Sequence, residues 1–276
     1  MNVTDWLKNN AKDIALFVGF VIALVLIYLV GTNTPITAMT TAWAWIMIIM
    51  AGFVVLVSAL ITGNPLFGWL INEQNRMSLS RLQMFLWTIM ILSAFVTAVF
   101  ANLHFQHYES AVSIAIPEEL WLAMGISVTS LVGSSLILEN KKGKVPVPPQ
   151  NSIETSKPKG EKELKLSGVL VKSDKPSLLN LIDGEEVGNH GIIDLTRLQN
   201  LFFTIVLVGT YMATLNNMFA TLVTVTPQVQ NIASNFPIKE FPELGSSAVA
   251  LLLISHAGYL AAKAIDNQPS KPAGPA

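Results

Sequence analysis

The sequence predicts an all-α integral membrane protein with six transmembrane helices, of which the last four form a tandem parallel two-helix repeat with a small cytoplasmic insertion. Of the 276 residues, 51% are apolar and 13% are charged, whereas about 25% of the residues in a soluble domain are charged. Six apolar stretches are long enough to cross a bilayer, and nearly all lysines and arginines fall on one side of them.

Each stretch holds about 20 mostly apolar residues, the length that crosses ~30 Å of hydrocarbon at 1.5 Å per residue. The predicted spans are residues 14–30, 42–61, 82–103, 120–138, 198–222 and 247–264. They divide the chain into an N-terminal two-span unit, a first repeat unit, a central insertion, a second repeat unit and a tail that we expect to be disordered. These parts are residues 1–75, 76–138, 139–195, 196–266 and 267–276.

The lysines and arginines predict the orientation of the spans, because the cytoplasmic loops of membrane proteins are enriched in these residues. With both termini in the cytoplasm, all of the 17 lysines and arginines except Lys239 lie on the cytoplasmic side. Residues 14–30 are longer than the apolar core of a signal peptide, which has about 7–15 residues. We therefore expect the first span to be retained and both termini to be cytoplasmic.

The third and fifth spans open with the same motif. Residues 80–83 (SRLQ) recur as residues 196–199 (TRLQ) at an offset of 116 residues, and the Pro-Glu at 117–118 is echoed at 242–243. Each unit contains two spans, so the copies have the same orientation and are related by a pseudo-two-fold axis along the membrane normal. The serine and threonine that open the motif are predicted to cap the two helices, because a hydroxyl can accept a hydrogen bond from a free backbone N–H.

The motif carries two pairs of candidate functional residues. Arg81 and Arg197 are expected at the cytoplasmic edge, where they either bind lipid phosphates as positive anchors or form a ring at the inner mouth of a pore. Gln83 and Gln199 lie two positions further along, just inside the membrane, where an amide usually bonds a neighbouring helix. Their duplication predicts one shared packing role in both units.

Polar and small residues inside the spans are the other candidates. His256 is the titratable side chain nearest to mid-span, and it is interpreted either as a packing residue or as a gate that responds to pH. Small residues let helices approach closely in lipid, and hydroxyl groups can also line a water-filled path. The candidates for helix contact or pore lining are Ser127, Ser130, Ser134, Ser255 and Gly258.

The insertion is rich in lysine where it leaves the fourth span, and such lysines attract anionic lipid headgroups at about 1 kcal/mol each. The lysines expected to do so are Lys141, Lys142 and Lys144. Further on, residues 164–171 (LKLSGVLV) predict a strand or an interfacial patch, and residues 177–182 (SLLNLI) predict a short amphipathic turn. We expect this ordered part to pack under the repeat pair, and residues 139–197 to be where a cytosolic partner or signal acts.

The composition excludes several classes of function. The chain has no cysteine, which excludes disulfides, thiolate zinc sites, iron–sulfur clusters and cysteine nucleophiles. A net charge of −1 gives no overall field to attract nucleic acid. His104 and His107 have the spacing of a metal-binding pair but lack a third ligand. With no catalytic motif in the sequence, we expect no metal, no cofactor and no enzymatic activity.

The paired S/T-R-L-Q helices, the GEEVGN segment (184–189) and the closing ISHAGYLAAKA (254–264) resemble a group of uncharacterised bacterial six-span membrane proteins. The resemblance covers about residues 76–265. It implies location in the bacterial inner membrane, and it supplies no activity.

Three functions fit this pattern. The hydroxyl-rich inner helices and the paired arginines favour a homo-oligomeric channel or pore-type effector that is regulated through the central cytoplasmic loop. The small-residue faces and the basic loop fit equally well with a non-conducting membrane scaffold or signalling subunit. A facilitative transporter is a third alternative, which the sequence disfavours because it shows no polar site large enough for a substrate.

Overall fold

The computed structural model describes residues 10–105, 108–146, 165–225, 238–267 and 270–272. His107, most of the lysine-rich start of the insertion and the last residues of the tail lie outside the described residues.

Six long helices form the membrane-spanning part of the protein. They are α1 (Ala11–Asn33), α2 (Met39–Thr62), α3 (Leu79–His104), α4 (Glu118–Lys142), α5 (Leu195–Val225) and α6 (Ser246–Ala264). Each contains one predicted span and is long and apolar enough to cross a membrane. The prediction of six helices that are long and apolar enough to cross a membrane is thus confirmed, while the repeat and the cytoplasmic side of the insertion stay predictions.

The helices that carry the repeated motif begin one residue before it. The first residues of α3 and α5 are Leu79 and Leu195, which have the same 116-residue offset as the motif. Asp194 caps α5, because its Oδ1 accepts a hydrogen bond of 3.0 Å from the backbone N–H of Thr196. The prediction that Ser80 and Thr196 are the caps is wrong, since both lie within the first helical turn.

The chain divides into two compact units. The first unit is Met1–Trp69, Phe85–Leu122 and Leu207–Ser246, and the second is Leu70–Met84, Ala123–Val206 and Ser247–Ala276. The first unit thus contains α1, α2 and most of α3, and the second contains the insertion and most of α4 and α6.

In the first unit, α1 packs against α2. Gly19 permits their close approach, because a Cβ at this position would lie 2.3 Å from Leu56 Cδ2. The rings of Phe20 and Phe53 are 5.9 Å apart in the same contact. Within α1 only Gly31 is buried, so this helix leaves nearly all its apolar side chains to lipid.

Aromatic side chains join α2, α3 and α5 in the core of the first unit. The Trp43 Nε1 donates a hydrogen bond of 3.0 Å to Ser93 Oγ on α3, and the Trp43 ring lies 5.6 Å from that of Phe219 on α5. Trp87 and Tyr211 bring α3 and α5 together, with their rings 6.3 Å apart. Large aromatic rings thus pack α2, α3 and α5 together in the first unit.

The two segments with the repeated Pro-Glu lie side by side in the first unit. Ala115 and Glu240, each two residues before its proline, pair in a parallel bridge. The backbone N–H of Phe241 donates to the Ala115 carbonyl at 3.0 Å. This pairing brings together residues that the sequence comparison also aligns, while the repeat itself stays a prediction.

In the second unit, the insertion forms a hairpin that packs on the last turn of α4. Strands β2 (Lys165–Ser167) and β3 (Leu170–Lys172) are antiparallel, which gives the predicted strand region the form of a hairpin. The Val169 N–H approaches the Lys141 carbonyl at 3.4 Å. Gly168 has a φ of +64°, and a Cβ there would lie 2.4 Å from the same carbonyl oxygen.

Two further short elements complete the second unit. A 3₁₀ helix at Leu178–Leu181 begins with a capping box between Ser177 and Asn180, within the predicted amphipathic turn. Strand β1 (Lys144–Pro146) pairs with β4 (Ser270–Pro272) in antiparallel fashion. The start of the tail therefore forms a strand, which differs from the expectation of a disordered tail.

Replacement of Gly168 by alanine is expected to destabilise the protein by about 1–3 kcal/mol, because the left-handed backbone and the carbonyl oxygens both oppose a Cβ. Thermal unfolding of the detergent-purified protein measures this, at about 2–4 °C per kcal/mol. Gly125→Ala is the matched control, since nothing lies within 4 Å of a Cβ there. Gly191→Ala isolates the backbone effect, because its φ is +80° with open space around it. Equal losses at Gly168 and Gly191 would show that the close packing on α4 contributes nothing.

Candidate functional site

Two groups of buried and partly buried polar side chains lie in the second unit. The charge cluster joins the insertion to the ends of the spans and consists of Arg76, Asp183, Glu185, Arg197 and Lys263. The polar ring joins four spans to one another and consists of Ser80, Gln83, Ser130, Ser134, Asn200, Thr204, Ser255 and Tyr259.

Arg76 anchors the insertion to the segment that precedes α3. Its side chain is 1% exposed, and its Nη2 lies 3.0 Å from Asp183 Oδ2. The same Nη2 donates to the Gly184 carbonyl at 2.9 Å, and Nη1 lies 3.2 Å from His190 Nδ1. A local turn aims the guanidinium, because Asn72 Oδ1 accepts a hydrogen bond of 3.0 Å from the Arg76 backbone N–H.

Glu185 is the acid at the centre of the charge cluster. Its Oε1 lies 3.2 Å from Arg197 Nη2 on α5, and its Oε2 lies 2.7 Å from Lys263 Nζ on α6. Its backbone carbonyl accepts from the Val171 N–H of β3 at 2.9 Å. Arg197 also donates through Nη1 to the Asp183 carbonyl at 2.8 Å. One carboxylate therefore connects the insertion with two spans.

The electrostatics of Glu185 follow from these two cations. Burial alone raises the pKa of the Glu185 carboxyl, but the nearby Arg197 and Lys263 outweigh this and lower the pKa from the ordinary 4.5 to about 2. The charged form is thus strongly favoured in the folded protein. An arginine and a lysine buried without such a partner would carry a large desolvation penalty.

A second buried pair connects α4 to the segment after α6. The ammonium group of Lys141 pairs with the Glu186 carboxylate and donates to the Ile265 carbonyl at 2.7 Å. Asn267 Nδ2 donates to Glu186 Oε1 at 2.9 Å. Lys141 is therefore buried in the protein, which differs from the expectation that it faces lipid headgroups.

Lys142 and Lys144, which were also expected to attract lipid headgroups, have carboxylate partners too. Lys142 pairs with Glu73 and lies 2.7 Å from Glu139. Lys144 Nζ lies 2.6 Å from Asp266 Oδ2. These pairs neutralise the positive charges within the protein, so they leave little net charge at this point to attract an anionic lipid.

The polar ring links α3, α4, α6 and α5 in a closed order. Its first two contacts join α3 to α4 and α4 to α6, through Ser80 with Ser130 and Ser134 with Tyr259, each at 3.4 Å. The last two join α6 to α5 and α5 to α3, where Asn200 Oδ1 accepts from Ser255 Oγ at 2.8 Å and from Gln83 Nε2 at 2.9 Å. Gln83 Nε2 also donates to Thr204 Oγ1 at 2.7 Å.

The two copies of the motif are placed in different environments. Gln83 is buried in the polar ring, whereas Gln199 is exposed, and the neighbouring Asn200 takes the buried position on α5. Arg197 is buried in the charge cluster, whereas Arg81 is half-buried in a cleft beside Ser134. The expected common packing role and the symmetric pair of arginines are therefore not reproduced by the geometry of these side chains.

The remaining predicted residues are divided between buried and exposed positions. The Ser127 hydroxyl is buried and donates to the Ala123 carbonyl of its own helix at 3.0 Å. Gly258 is exposed, with nothing within 4 Å of a Cβ. His256 is 2% exposed, and neither ring nitrogen has a hydrogen-bond partner among the described residues. His256 thus packs in the bundle without joining the polar ring.

The described residues contain no group of three or more histidine and acidic side chains that could hold a metal ion. His104 lies in the first unit, where its Nε2 is 2.9 Å from the Thr34 carbonyl oxygen. A second cleft borders the charge cluster, and Asn189, Arg197 and Lys263 are among the residues that line it.

The sequence did not identify Arg76, Asp183, Glu185, Asn200, Tyr259 or Lys263 as site residues. Arg76 and Lys263 had a signal, since each is a cation close to the end of a span, but the same position also fits a lipid anchor. Glu185 lies in a turn-rich stretch where acidic residues are usually solvated, so its burial had no local signal.

Glu185→Gln is expected to lower the free energy of unfolding by about 3–5 kcal/mol, because Arg197 and Lys263 lose their buried anionic partner. The contribution of the wild-type carboxylate is complete above its ordinary pKa of 4.5 and disappears as the pH falls towards the folded-state pKa of about 2. The stability difference between wild type and variant should therefore narrow between these two pH values. Unfolding measured over a pH series tests this.

Glu139→Gln is the matched control for this experiment. The Glu139 carboxylate also pairs with a lysine, but it is 70% exposed, and such surface pairs contribute about 0–1 kcal/mol. A difference between wild type and the Glu185 variant that stayed constant down to pH 2 would contradict the assigned ion pairs.

Gln83→Ala is expected to destabilise the protein by about 1–2 kcal/mol, because it removes two hydrogen bonds between spans and leaves Asn200 with one fewer donor. Gln199→Ala is the control from the equivalent position of the second motif, and it should change the melting temperature very little. The same thermal unfolding assay compares the two. Equal losses would indicate that both glutamines have the same role, as the repeat alone predicts.

In comparisons with known proteins, no family model, no curated protein and no solved structure matched the chain.

Proposed function

We propose that the protein is a non-conducting membrane scaffold or signalling subunit that presents its insertion at a fixed position next to the membrane. The observation that carries this proposal is the polar ring, in which hydroxyl and amide groups of four spans contact one another. The proposed partner of the insertion is a protein on the side of the membrane where α5 begins.

Groups that line a conducting path must be open to water along the spans. Ser130, Ser134 and Ser255 are instead buried and paired with side chains of neighbouring spans. In lipid, helix association depends on close packing and on hydrogen bonds between helices. The hydroxyl-rich faces, which favoured a pore in the sequence, are therefore better explained as contacts that hold the spans together.

The charge cluster supports the proposal because it fixes the insertion to the spans. Arg76 and Arg197 both bind Asp183, and Glu185 binds two spans. A segment held in this way has already lost much of its conformational freedom, so a partner that binds it loses less entropy on association. This property suits a docking platform better than a loop that only connects two spans.

A homo-oligomeric channel is the second candidate, and one observation favours it. Helix α5 exposes Thr210 and Asn217 on the surface of the protomer, and these residues lie two turns apart on one side of the helix. Polar groups inside a membrane usually face protein or water rather than lipid. If copies of the chain assembled around this face, Thr210 and Asn217 would line the space between them.

A facilitative transporter has weaker support. Transporters bind their substrates near the middle of the bilayer, whereas the clefts beside Arg81 and Arg197 lie at the ends of the spans.

Reconstitution of the purified protein in planar bilayers and liposomes tests the proposal, with light scattering to determine its mass in detergent. We expect a well-folded particle that gives no unitary currents and no ion flux over a range of voltage and pH. Gramicidin added to the same liposomes shows that the assay detects flux. If the wild type gives unitary currents, and Asn217→Leu abolishes them without changing the mass of the particle, the scaffold proposal is wrong and the channel proposal is supported.

The partner is tested separately by photo-crosslinking in native membranes. A photoreactive residue at the exposed Gly188 of the insertion is expected to give a discrete product with another protein, whereas one at Phe202, exposed on α5, should react with lipid. If the protein conducts no ions and the photoreactive residue at position 188 gives no crosslinked product with another protein, the scaffold proposal is also wrong.

A further inference from the structure

We propose that the insertion rests on the membrane through an apolar patch that enters the leaflet where α5 begins. The lipid patch consists of five aliphatic side chains that the protein leaves uncovered. They are Leu178, Leu179, Ile192, Ile193 and Leu195, with exposed fractions of 57%, 68%, 62%, 60% and 73%. This inference does not depend on whether the protein conducts ions.

Backbone contacts hold the two parts of the lipid patch together. The Asp194 N–H donates to the Ile182 carbonyl at 2.8 Å, and the Gly184 N–H donates to the Ile192 carbonyl at 3.2 Å. Asp183 and Ile193 form an antiparallel bridge. The 3₁₀ helix at 178–181 is therefore held close to residues 192–195 through the backbone of residues 182–184 that follows it.

The 3₁₀ helix is amphipathic, with its apolar side turned outwards. Its capping box turns Asn180 inwards, and Leu181 follows it into the core of the insertion. Leu178 and Leu179 then remain on the outside. An element exposed to water would carry polar residues at these outer positions. This turn has the opposite pattern, with leucines outside and an asparagine inside.

The lipid patch is continuous with the lipid-facing side of α5. Leu195 is the first residue of this span, and residues 195, 202 and 206 fall on one side of a helix with 3.6 residues per turn. Phe202 and Val206 are 58% and 60% exposed. The apolar side of the span thus extends beyond its first residue into the insertion, which identifies the bilayer as the occupant of the patch.

The position of the patch also accounts for two polar neighbours. Gln199 is exposed on the same side of α5, one turn from Leu195, where its amide can reach the headgroup region. Lys175 is exposed just before the 3₁₀ helix, and a lysine can keep its ammonium group among phosphates while its stem covers apolar surface. Short amphipathic elements of this kind enter the headgroup and acyl boundary by about 5–10 Å.

The absence of cysteine in the chain allows single-cysteine variants without a background. The full-length variants Leu179→Cys and Ile193→Cys are labelled with an environment-sensitive fluorophore (NBD) and reconstituted in phosphatidylcholine vesicles, with or without doxyl-labelled lipid. Phe202→Cys serves as the membrane reference and Lys172→Cys, exposed on β3, as the water reference. We expect blue-shifted emission at 179 and 193, strong quenching by doxyl lipid, and iodide quenching several-fold weaker than at 172.

Two outcomes would overturn the proposal. Emission and iodide quenching at 179 and 193 that match position 172 would show that the patch is in water. Protection from iodide without quenching by doxyl lipid would show that protein covers it, and dependence of that protection on protein density would identify a second copy. Leu178→Cys and Ile192→Cys replace any variant that does not elute as the wild type does in gel filtration.

Discussion

The ion pairs of Glu185 with Arg197 and Lys263 are the interaction on which the second unit depends. A buried arginine or lysine is stable only when an anion and further hydrogen bonds replace its water. The insertion supplies that anion from the segment after the 3₁₀ helix, where the Glu185 backbone carbonyl accepts a hydrogen bond from the Val171 N–H of the hairpin. The Glu185 carboxylate therefore neutralises a cation near the start of α5 and another near the end of α6. The same two ion pairs hold the insertion against these helices.

The sequence predicts the spans well because the cost of burying polar groups in lipid acts on each helix separately. Residues 14–30 or 42–61 need no information about their neighbours to be recognised as spans. Residues 164–171 were predicted as a strand or an interfacial patch, and residues 165–172 form a hairpin of two strands, whose turn the sequence did not predict. The true helix ends were harder to predict, because the cap of α5 is Asp194 rather than the threonine of the motif.

The candidate site was less predictable because its side chains are far apart in the chain. Lys141 at the end of a span fits a lipid anchor and a buried ion pair equally well, and only the position of Glu186 decides between them. The repeated motif was misleading for a related reason. Gln83 and Gln199 have the same local sequence, but the ring takes Asn200 instead of Gln199 on α5, so local similarity did not ensure equivalent packing.

Tyr259 couples the two buried groups of the second unit. Its hydroxyl lies 3.4 Å from Ser134 Oγ in the polar ring and accepts a hydrogen bond of 3.1 Å from Lys263 Nζ in the charge cluster. The same Lys263 binds Glu185 of the insertion. A force or a partner that displaced Glu185 would therefore act on Lys263 first, then on Tyr259, and then on the contact between α4 and α6. These polar groups thus form one connected series of contacts from the insertion into the spans.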